Sequence, residues 1–520
     1  MSLLSRSRDD VKSWLDRPLT TISCVIGWGA ATIVFLGLTA WIGGPVEGDA
    51  ALSVYTTWAI AHGHLACAYS SLGGNSLPGF VRPSSFIPPL YPLLSAGVLL
   101  VVHSTYNVSF PTAAQLGNHC MHANAAMYQW AAKSHAIAPT IRISYLTWIA
   151  LMSGIVALLR AAGRGRQRWE PATLLFLAVA APVFECLTEF FHPQDILAMG
   201  LALGSLACAL RGRWAWAGIL IGLAFTSNQL ALLFAGPMLV IAPRRWMITF
   251  AGAAAFVVAL ISVPVIILTS GDAFKATVLG SGFTPAKDGG TLLSETAIRG
   301  AVLFVLARVL PIVLAMVLAW WARRRLADQV LQPIPLLSIV TTALALRLVF
   351  EFSLYGYFFL GVATMLVLID VIAGRVRGQV LTWLALVTVL FDPFPWGFAS
   401  NGQLWGLAAR EWLPNVFVIV AVGIILMDLM KRRIRWYVVA AGTFVGVTQV
   451  TWPWIHEALR HPLPTWIIQI ILVAIALWLA IVPLIEVVQE TPDLDSRYEG
   501  SVHRKVTHVG EPGNWTQSGV

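Results

Sequence analysis

Charge is scarce in this sequence. Only 11% of its 520 residues are Asp, Glu, Lys or Arg, whereas a water-soluble domain carries about 25%. Hydrophobic residues make up 58% of the chain, and they are gathered in runs of about 20, the length that crosses the hydrocarbon core of a bilayer as a helix. This composition excludes a soluble globular enzyme and predicts an all-α, polytopic membrane protein.

Cysteine is also scarce, and five residues are too few for a disulfide-stabilised scaffold. Cys24, Cys186 and Cys208 lie in or beside apolar runs and are expected to be small core residues. Cys67 and Cys120 fall outside the predicted spans. They could pair in an oxidising compartment, but nothing in the sequence fixes the distance between them.

The apolar runs predict a bundle of about 14 transmembrane helices, with roughly 12 to 15 as the range. Pro88–Val102 is left out of this count, because about 15 residues are short for a crossing; it is predicted to be an interfacial or re-entrant helix on the outer face. The candidate spans are residues 21–43, 141–160, 171–188, 196–210, 214–227, 229–242, 246–269, 300–321, 334–350, 354–373, 379–392, 412–430, 436–452 and 465–487.

Arginine clusters fall in every second loop between these spans, and they account for the net charge of +9 without indicating nucleic-acid binding. Because such clusters stay on the cytoplasmic side, residues 1–20 are predicted to be cytoplasmic, 21–487 to form the transmembrane domain and 488–520 to be a disordered cytoplasmic tail. Residues 44–140 are then a large first extracytoplasmic loop. The clusters include Arg164/Arg166/Arg168, Arg211/Arg213, Arg244/Arg245, Arg323/Arg324/Arg325, Arg375/Arg377 and Lys431/Arg432/Arg433/Arg435.

Asp49, just beyond the first span, is the leading candidate for chemistry. A carboxylate in an interfacial cleft can be tuned to act as a general base near neutral pH. The alternative is that Asp49 only caps the helical pattern that follows it. Glu47, two residues earlier, could share the role.

Two further groups of charged residues lie near predicted outer span ends. His192 and Asp195 precede the span 196–210; in the alternative interpretation, Pro193 starts a helix there and Asp195 caps it. Arg347 is a candidate because an arginine within a span usually has a function. The alternative is that Arg347 and Glu351 neutralise each other as an i,i+4 pair.

The order and spacing of these motifs resemble the GT-C superfamily of membrane glycosyltransferases, and most closely the actinobacterial branch that includes family 87 mannosyltransferases. The motifs are an acidic residue at Asp49, Tyr55 six positions on, Pro88-Pro89-Leu90-Tyr91, the His-x-x-Asp element at His192–Asp195, the small-residue run Ala217–Ala224 and, more weakly, Tyr355-Gly356-Tyr357.

The resemblance implies transfer of a sugar, mannose in the nearest relatives, from a polyprenyl-phosphate donor. The acceptor would be a cell-envelope glycan or glycolipid at the extracytoplasmic face, and transfer would invert the anomeric carbon with Asp49 as base. The lipid-linked sugar is a substrate, so no cofactor is expected. The residues expected to contact substrates are Glu47, Tyr55, His192, Asp195, Asn228, Gln229, Arg347, Glu351 and Tyr355.

The sequence departs from its relatives at two points. Many relatives have adjacent acidic residues where one glycine separates Glu47 from Asp49, and many have a lysine near the position of Asn228. The donor phosphate must then be held by neutral groups at Asn228 and Gln229 or by a cation from elsewhere. The candidate cations are Arg347 first, then Arg308, Lys287 and Arg299.

Two other functions fit the sequence less well than sugar transfer does. A flippase or transporter of lipid-linked saccharides would need paired charges across the midplane, whereas the notable acids here lie at one face. A polymerase or ligase of lipid-linked glycans usually depends on a large late outer loop, whereas the first is the largest here. The side chains that might bind a metal match no standard ligand spacing, so no metal is predicted; they are Asp49, His62, His64, His119 and His122.

Overall fold

All regular secondary structure in the described part of the chain is helical, which confirms the predicted all-α class. The computed structural model describes residues 3–42, 49–69, 88–102, 136–178, 180–184, 186–187, 191–274, 293, 298, 300–351, 356–375 and 465–490. Among them, the one extended pairing is an isolated bridge between Pro18 and Gln167.

Sixteen helices are labelled here in chain order, and short 3₁₀ turns join some of them. They are α1 (Leu3–Leu15), α2 (Thr21–Ile42), α3 (Asp49–Ala61), α4 (Leu65–Tyr69), α5 (Leu90–Val102), α6 (Ile137–Ala161), α7 (Trp169–Ala178), α8 (Ala181–Phe184), α9 (Pro193–Leu210), α10 (Trp214–Ser227), α11 (Leu232–Ile241), α12 (Arg244–Leu268), α13 (Gly300–Phe304, the π-helical Val305–Val309 and Leu310–Leu326), α14 (Pro333–Val349), α15 (Leu360–Ile372) and α16 (Thr465–Glu490).

Within the described ranges, four helical stretches are long and apolar enough to cross a bilayer: Ile137–Ala161, Pro193–Leu210, Arg244–Leu268 and Val302–Leu331. Shorter apolar helices occupy most of the other predicted spans, although the predicted span 171–188 is divided between α7 and α8. The protein is therefore a membrane protein. The predicted spans 379–392, 412–430 and 436–452 lie outside the described residues, so the number of crossings stays a prediction.

Contacts between helix termini define two ends of the bundle. At one, called the His192 end, His192 before α9 contacts Tyr357 before α15. At the other, called the Arg164 end, Arg164 after α6 donates to the carbonyl oxygen of Ile372, the last residue of α15. Successive helices from α6 to α15 connect these two ends.

Arginines of several loops meet at the Arg164 end, as their alternation along the sequence predicts. Arg323, in the last turn of α13, donates to the carbonyl oxygen of Ala242 at 3.1 Å. Arg375, after α15, pairs with Glu486 of α16 at 3.4 Å. Which side of the membrane this end faces remains a prediction.

Glycines allow two pairs of helices to approach closely. A Cβ built on Gly154 of α6 would lie 2.2 Å from the carbonyl oxygen of Gly200 in α9. Gly218 and Gly222 form a Gly-x-x-x-Gly stripe on α10, where added Cβ atoms would strike the backbone of α12 at 2.3 and 2.7 Å. Small residues permit such backbone contact between membrane helices, where packing rather than water exclusion drives association.

The short helix α5 extends from the His192 end towards the middle of the bundle, where its first turn packs near Ala150 of α6. Its 13 residues measure about 20 Å, against a hydrocarbon core of about 30 Å. Tyr91 in its first turn packs with Leu197 of α9, and Leu99 packs with Ala136 just before α6. These bounds fit the prediction that Pro88–Val102 does not cross the bilayer, and its membrane side stays a prediction.

The cysteines fall into two classes. Cys24 and Cys186 are buried free thiols, and Cys208 is a partly buried one. Cys67, in α4, is disulfide-bonded. Cys120, which the sequence suggests as its partner, lies outside the described residues.

Gly200→Ala should destabilise the protein markedly, because the new methyl group would lie 2.5 Å from the backbone of Ala150. Overpacking of this kind costs roughly 1–3 kcal/mol. Thermal unfolding in detergent measures the loss. Gly252→Ala is the matched control, since Gly252 is in α12 with nothing within 4 Å of its added Cβ. Equal melting temperatures for the two variants would contradict the proposed tight crossing of α6 and α9.

Candidate functional site

The site begins with the turn that leads into α9. Phe191 has a φ of 52°, in the left-handed region, and the N–H of His192 donates to the carbonyl of Cys186 at 2.6 Å. His192 is the N-cap residue and Pro193 is the first residue of the helix, as the sequence predicts. This turn sets His192 and Asp195 at the same helix terminus.

Asp195 is held by a side chain of the neighbouring helix. Its Oδ1 accepts a short hydrogen bond from Nδ2 of Asn228, the residue that ends α10. Its carboxylate therefore joins α9 to α10, and the interpretation of Asp195 as a local helix cap is wrong. A second bond, from the Ser227 hydroxyl to the carbonyl of Gln194 at 2.9 Å, joins the same two helices.

Asn228 uses both ends of its amide. While Nδ2 donates to Asp195, Oδ1 accepts from the N–H of Leu230 at 2.7 Å and so caps the 3₁₀ turn Gln229–Ala231. Its backbone is extended, with φ −155° and ψ 141°. The structure thus gives Asn228 the role of positioning Asp195, while its predicted contact with substrate, and that of Gln229, remains untested.

An aromatic pair lies beside Asp195. The rings of His192 and Tyr357 stack with centroids 4.4 Å apart and 24° between their planes, and Tyr357 Oη lies 3.3 Å from His192 Nε2. Tyr355 was the predicted site residue, and it lies outside the described residues. Sequence reasoning therefore missed Tyr357, which the same Tyr-Gly-Tyr motif contains.

The third component is a cluster of two arginines and one glutamate. Oε2 of Glu351 accepts from Nε of Arg347 at 3.1 Å and from Nη1 of Arg308 at 2.9 Å. Glu351 is fully buried, and the arginine side chains are only 19% and 18% exposed. Arg347 also lies over the ring of Phe358 at 5.4 Å.

Among the described residues this cluster carries a positive surplus, because two guanidiniums share the carboxylate of Glu351. The interpretation that Arg347 and Glu351 simply neutralise each other is therefore incomplete. Arg308 lies in the π-helical turn Val305–Val309 of α13. Such widened turns often occur at functional sites, and this one carries the residue that reaches Glu351 from a second helix.

The charge of Arg347, in the arginine–glutamate cluster, acts on Asp195 at the start of α9. Asp195 lies within range of the charges of His192 and Arg347, yet no ion pair joins Asp195 to Arg347 within the described part of the chain. The carboxylate and the cation are thus near enough to interact electrostatically, while each is held by its own hydrogen-bond partner. Such an arrangement can bind a ligand that carries both hydroxyl groups and a negative charge.

Of the predicted residues near the first span, Tyr55 is described with its side chain, and Asp49 by its place in a helix. Asp49 begins α3, its side chain lies outside the described residues, and so do Glu47, Lys287 and Arg299. α3 packs at the His192 end, where Trp58 Nε1 donates to Thr140 of α6 at 3.2 Å. Tyr55 is buried in an apolar cluster with Tyr69 and Val265; this burial raises its pKa to about 12, so the phenol stays protonated at neutral pH.

No group of three or more His, Cys, Asp or Glu side chains that could hold a metal ion occurs among the described residues. The site components there are hydrogen-bond donors, one aromatic pair and charged groups. They suit a polar organic substrate bound directly by the protein.

The match to a known family covers the centre of this site. Residues 134–350 match the model of glycosyltransferase family 87. This region of the chain is similar to glycosyltransferase family 87. It contains His192, Asp195, Asn228, Arg308 and Arg347 and ends one residue before Glu351.

The family 87 match confirms the resemblance inferred from the motifs and supports a membrane glycosyltransferase. The match starts well after Asp49, so it adds nothing to the assignment of the base. No curated protein and no solved structure matches this chain.

Glu351→Gln should destabilise the protein, because it leaves two adjacent guanidiniums in a buried site without their carboxylate. Removing one partner of a buried ion pair typically costs about 3–5 kcal/mol. Adding Arg308→Gln to the same protein restores the charge balance and should recover part of the loss. Thermal unfolding of the single and double variants measures both effects.

Glu486→Gln is the control for that experiment. Its pair with Arg375 is about one-third exposed on each side, and exposed pairs contribute roughly 0–1 kcal/mol. If Glu351→Gln melted no lower than Glu486→Gln, the cluster would not stabilise the bundle.

Proposed function

We propose that this protein transfers a sugar, mannose or a similar hexose, from a polyprenyl-phosphate donor to a cell-envelope glycan or glycolipid at the extracytoplasmic face. The observation that carries the proposal is the positive surplus around Glu351, set beside Asp195 in a family 87 glycosyltransferase region. A phosphate joined to a sugar presents the charge and the hydroxyl groups that these two features fit.

Arg347 is proposed to hold the donor phosphate. Its Nε is engaged by Glu351, whereas its two η nitrogens make no hydrogen bond to any residue in the described ranges. A guanidinium fork binds phosphate oxygens through two parallel bonds. Because the phosphate gains negative charge as the glycosidic bond breaks, a fixed cation at that position lowers the barrier.

Glu351 has an orienting role in this proposal. It holds Arg347 on one side, while Arg308 supplies a second positive charge behind the same carboxylate. The pair Arg347–Glu351 alone would present no net charge to a donor. With Arg308, the described residues of the cluster keep one positive charge that can attract the phosphate. The two arginines also offset the free-energy cost of burying the Glu351 carboxylate.

Asp195 is proposed to bind hydroxyl groups of the sugar. Asn228 fixes one of its carboxylate oxygens, and the other oxygen has no hydrogen-bond partner within the described residues. The adjoining ring of His192, half-buried and stacked on the buried Tyr357, offers a planar group next to this carboxylate. Together they could orient the sugar above the phosphate, and correct orientation is worth several kcal/mol in a displacement reaction.

Asp49 is proposed as the general base. It would take the proton from the acceptor hydroxyl while that oxygen attacks the anomeric carbon. The bond from carbon to the phosphate oxygen breaks on the opposite face, so the product is inverted and the polyprenyl phosphate leaves as an anion. The packing of α3 supports this role, because Trp58 of α3 contacts Thr140 at the His192 end, the end of the bundle that also carries Asp195.

Asp49→Asn should reduce transfer by roughly 10²–10⁴-fold, the usual effect of removing a general base. Folding should be preserved, since Asn caps helices as well as Asp does. The assay incubates membranes with radiolabelled polyprenyl-phosphate sugars and scores labelled product, and Glu47→Gln serves as the comparison. Wild-type transfer by Asp49→Asn at normal expression would move the base to Glu47 or Asp195.

Arg347→Ala should raise the donor concentration needed for half-maximal transfer, and Arg347→Lys should raise it less, because the charge remains while the planar fork is lost. The acceptor dependence should stay the same. Transfer is measured against donor concentration for both variants and for Glu351→Gln. An unchanged donor dependence in Arg347→Ala would move the phosphate to Arg308, Lys287 or Arg299, and donor binding without product under any acceptor would favour a flippase.

A further inference from the structure

We propose that α1 and the loop between α6 and α7 form a binding surface for the headgroups of anionic phospholipids. This surface lies at the Arg164 end, away from the site described above. It consists of Val11, Lys12 and Trp14 of α1, Arg17, and the loop residues Arg166 and Arg168.

The two parts of the surface are fixed to each other. Oδ1 of Asp16, just after α1, accepts from Nη1 of Arg164 at 3.0 Å and from the indole N–H of Trp169 at 3.1 Å. Leu15 is 7% exposed and belongs to the main hydrophobic core. The end of α1 is therefore anchored to the bundle.

The loop itself is held in a defined conformation. Arg166 has a φ of 63°, in the left-handed region that favours glycine. Its N–H donates to Oε2 of Glu170 at 3.0 Å, and its carbonyl accepts from the N–H of Leu19. The left-handed conformation of Arg166 costs of order 1–3 kcal/mol, and hydrogen bonds on both sides of the residue hold it in place. The exposed side chain of Arg166 therefore extends from a fixed turn.

The apolar side chains of α1 are only partly covered by the protein. Val11 and Trp14, three positions apart and therefore on one helix face, are 45% and 48% exposed. The guanidinium of Arg168 lies 4.6 Å from the centre of the Trp14 ring. An exposed tryptophan on an amphipathic helix next to cations is typical of helices that lie in the headgroup region of a bilayer.

The surface also has an excess of positive charge. Lys12, Arg17, Arg166 and Arg168 form no ion pair with any residue in the described ranges, and Asp16 is already paired with Arg164. The carboxylates nearby on α1 are those of Asp9 and Asp10, which form no ion pair with any side chain that the structure describes. Four cations against two carboxylates leave a net attraction for anions.

The neighbouring helix indicates where this surface meets the lipid. α2 begins at Thr21, and Ile22, Val25 and Ile26 in its first two turns are 72%, 66% and 65% exposed. Such a face contacts hydrocarbon, so the cations that border it lie at the depth of the headgroups. An anionic phospholipid satisfies both parts of the surface at once, with its phosphate at the cations and its acyl region at Val11 and Trp14, whereas a free phosphate would contact only the cations.

The test is amide hydrogen exchange of residues 3–17 in the full-length protein in nanodiscs of phosphatidylcholine, with and without phosphatidylglycerol. Exchange should slow about fivefold or more when phosphatidylglycerol is present, because each basic side chain near an anionic surface contributes roughly a factor of five in binding. Added salt should reverse the slowing. Equal exchange in the two lipid compositions would overturn the proposal.

Paired substitutions show whether this surface is responsible. Arg166→Gln with Arg168→Gln should abolish the lipid dependence, while Arg166→Lys with Arg168→Lys should keep most of it. The control is Arg211→Gln with Arg213→Gln, an exposed pair in the loop between α9 and α10, which should leave the dependence unchanged. Equal losses from the control and test pairs would mean general electrostatic attraction and would refute a defined surface.

Exchange in α9 provides an internal check of folding in each variant. If α9 stays protected while residues 3–17 lose their response to phosphatidylglycerol, the effect is local to the surface. Because the readout does not involve sugar transfer, a negative result here leaves the proposed glycosyltransferase function unaffected, and the reverse also holds.

Discussion

The buried carboxylate of Glu351 is the group on which the His192 end depends. A charge that is removed from water inside an apolar bundle requires a partner, because its desolvation costs several kcal/mol. Glu351 meets this requirement with two arginines from different helices. The arrangement ties α13 to α14 and leaves a positive charge at the end of the bundle.

The Arg164 end also contains a buried carboxylate, that of Glu170, but its partners differ from those of Glu351. Glu170 is 3% exposed, accepts two hydrogen bonds from Arg160 and also accepts one from the backbone N–H of Arg166. Arg160 thus neutralises the charge of Glu170. At the same end Lys12, Arg17 and Arg166 are exposed and form no ion pair with a described residue, which suits contact with a lipid surface rather than chemistry in a closed site.

The spatial separation of acid and cation also matters at the His192 end. Asp195 is fixed by α10 through Asn228, and Arg347 is fixed by Glu351. Direct contact between Asp195 and Arg347 would cancel both groups. Because each has its own partner, both remain able to act on a substrate that is charged at one position and hydroxylated at another, as a sugar phosphate is.

Several features of this molecule follow from the sequence alone. The helical membrane class follows from apolar runs of bilayer length, and the pairing of Arg347 with Glu351 follows from their i,i+4 spacing, because both are local properties of a helix. The likeness to family 87 follows from the order of short motifs. The long-range partners could not be inferred: Arg308 is 43 residues from Glu351, Asn228 is 33 from Asp195, and Tyr357 is 165 from His192. Only the packing of α9, α10, α13 and α14 decides which of many polar side chains meet, since helix contacts depend on interhelical geometry that short-range periodicity does not encode.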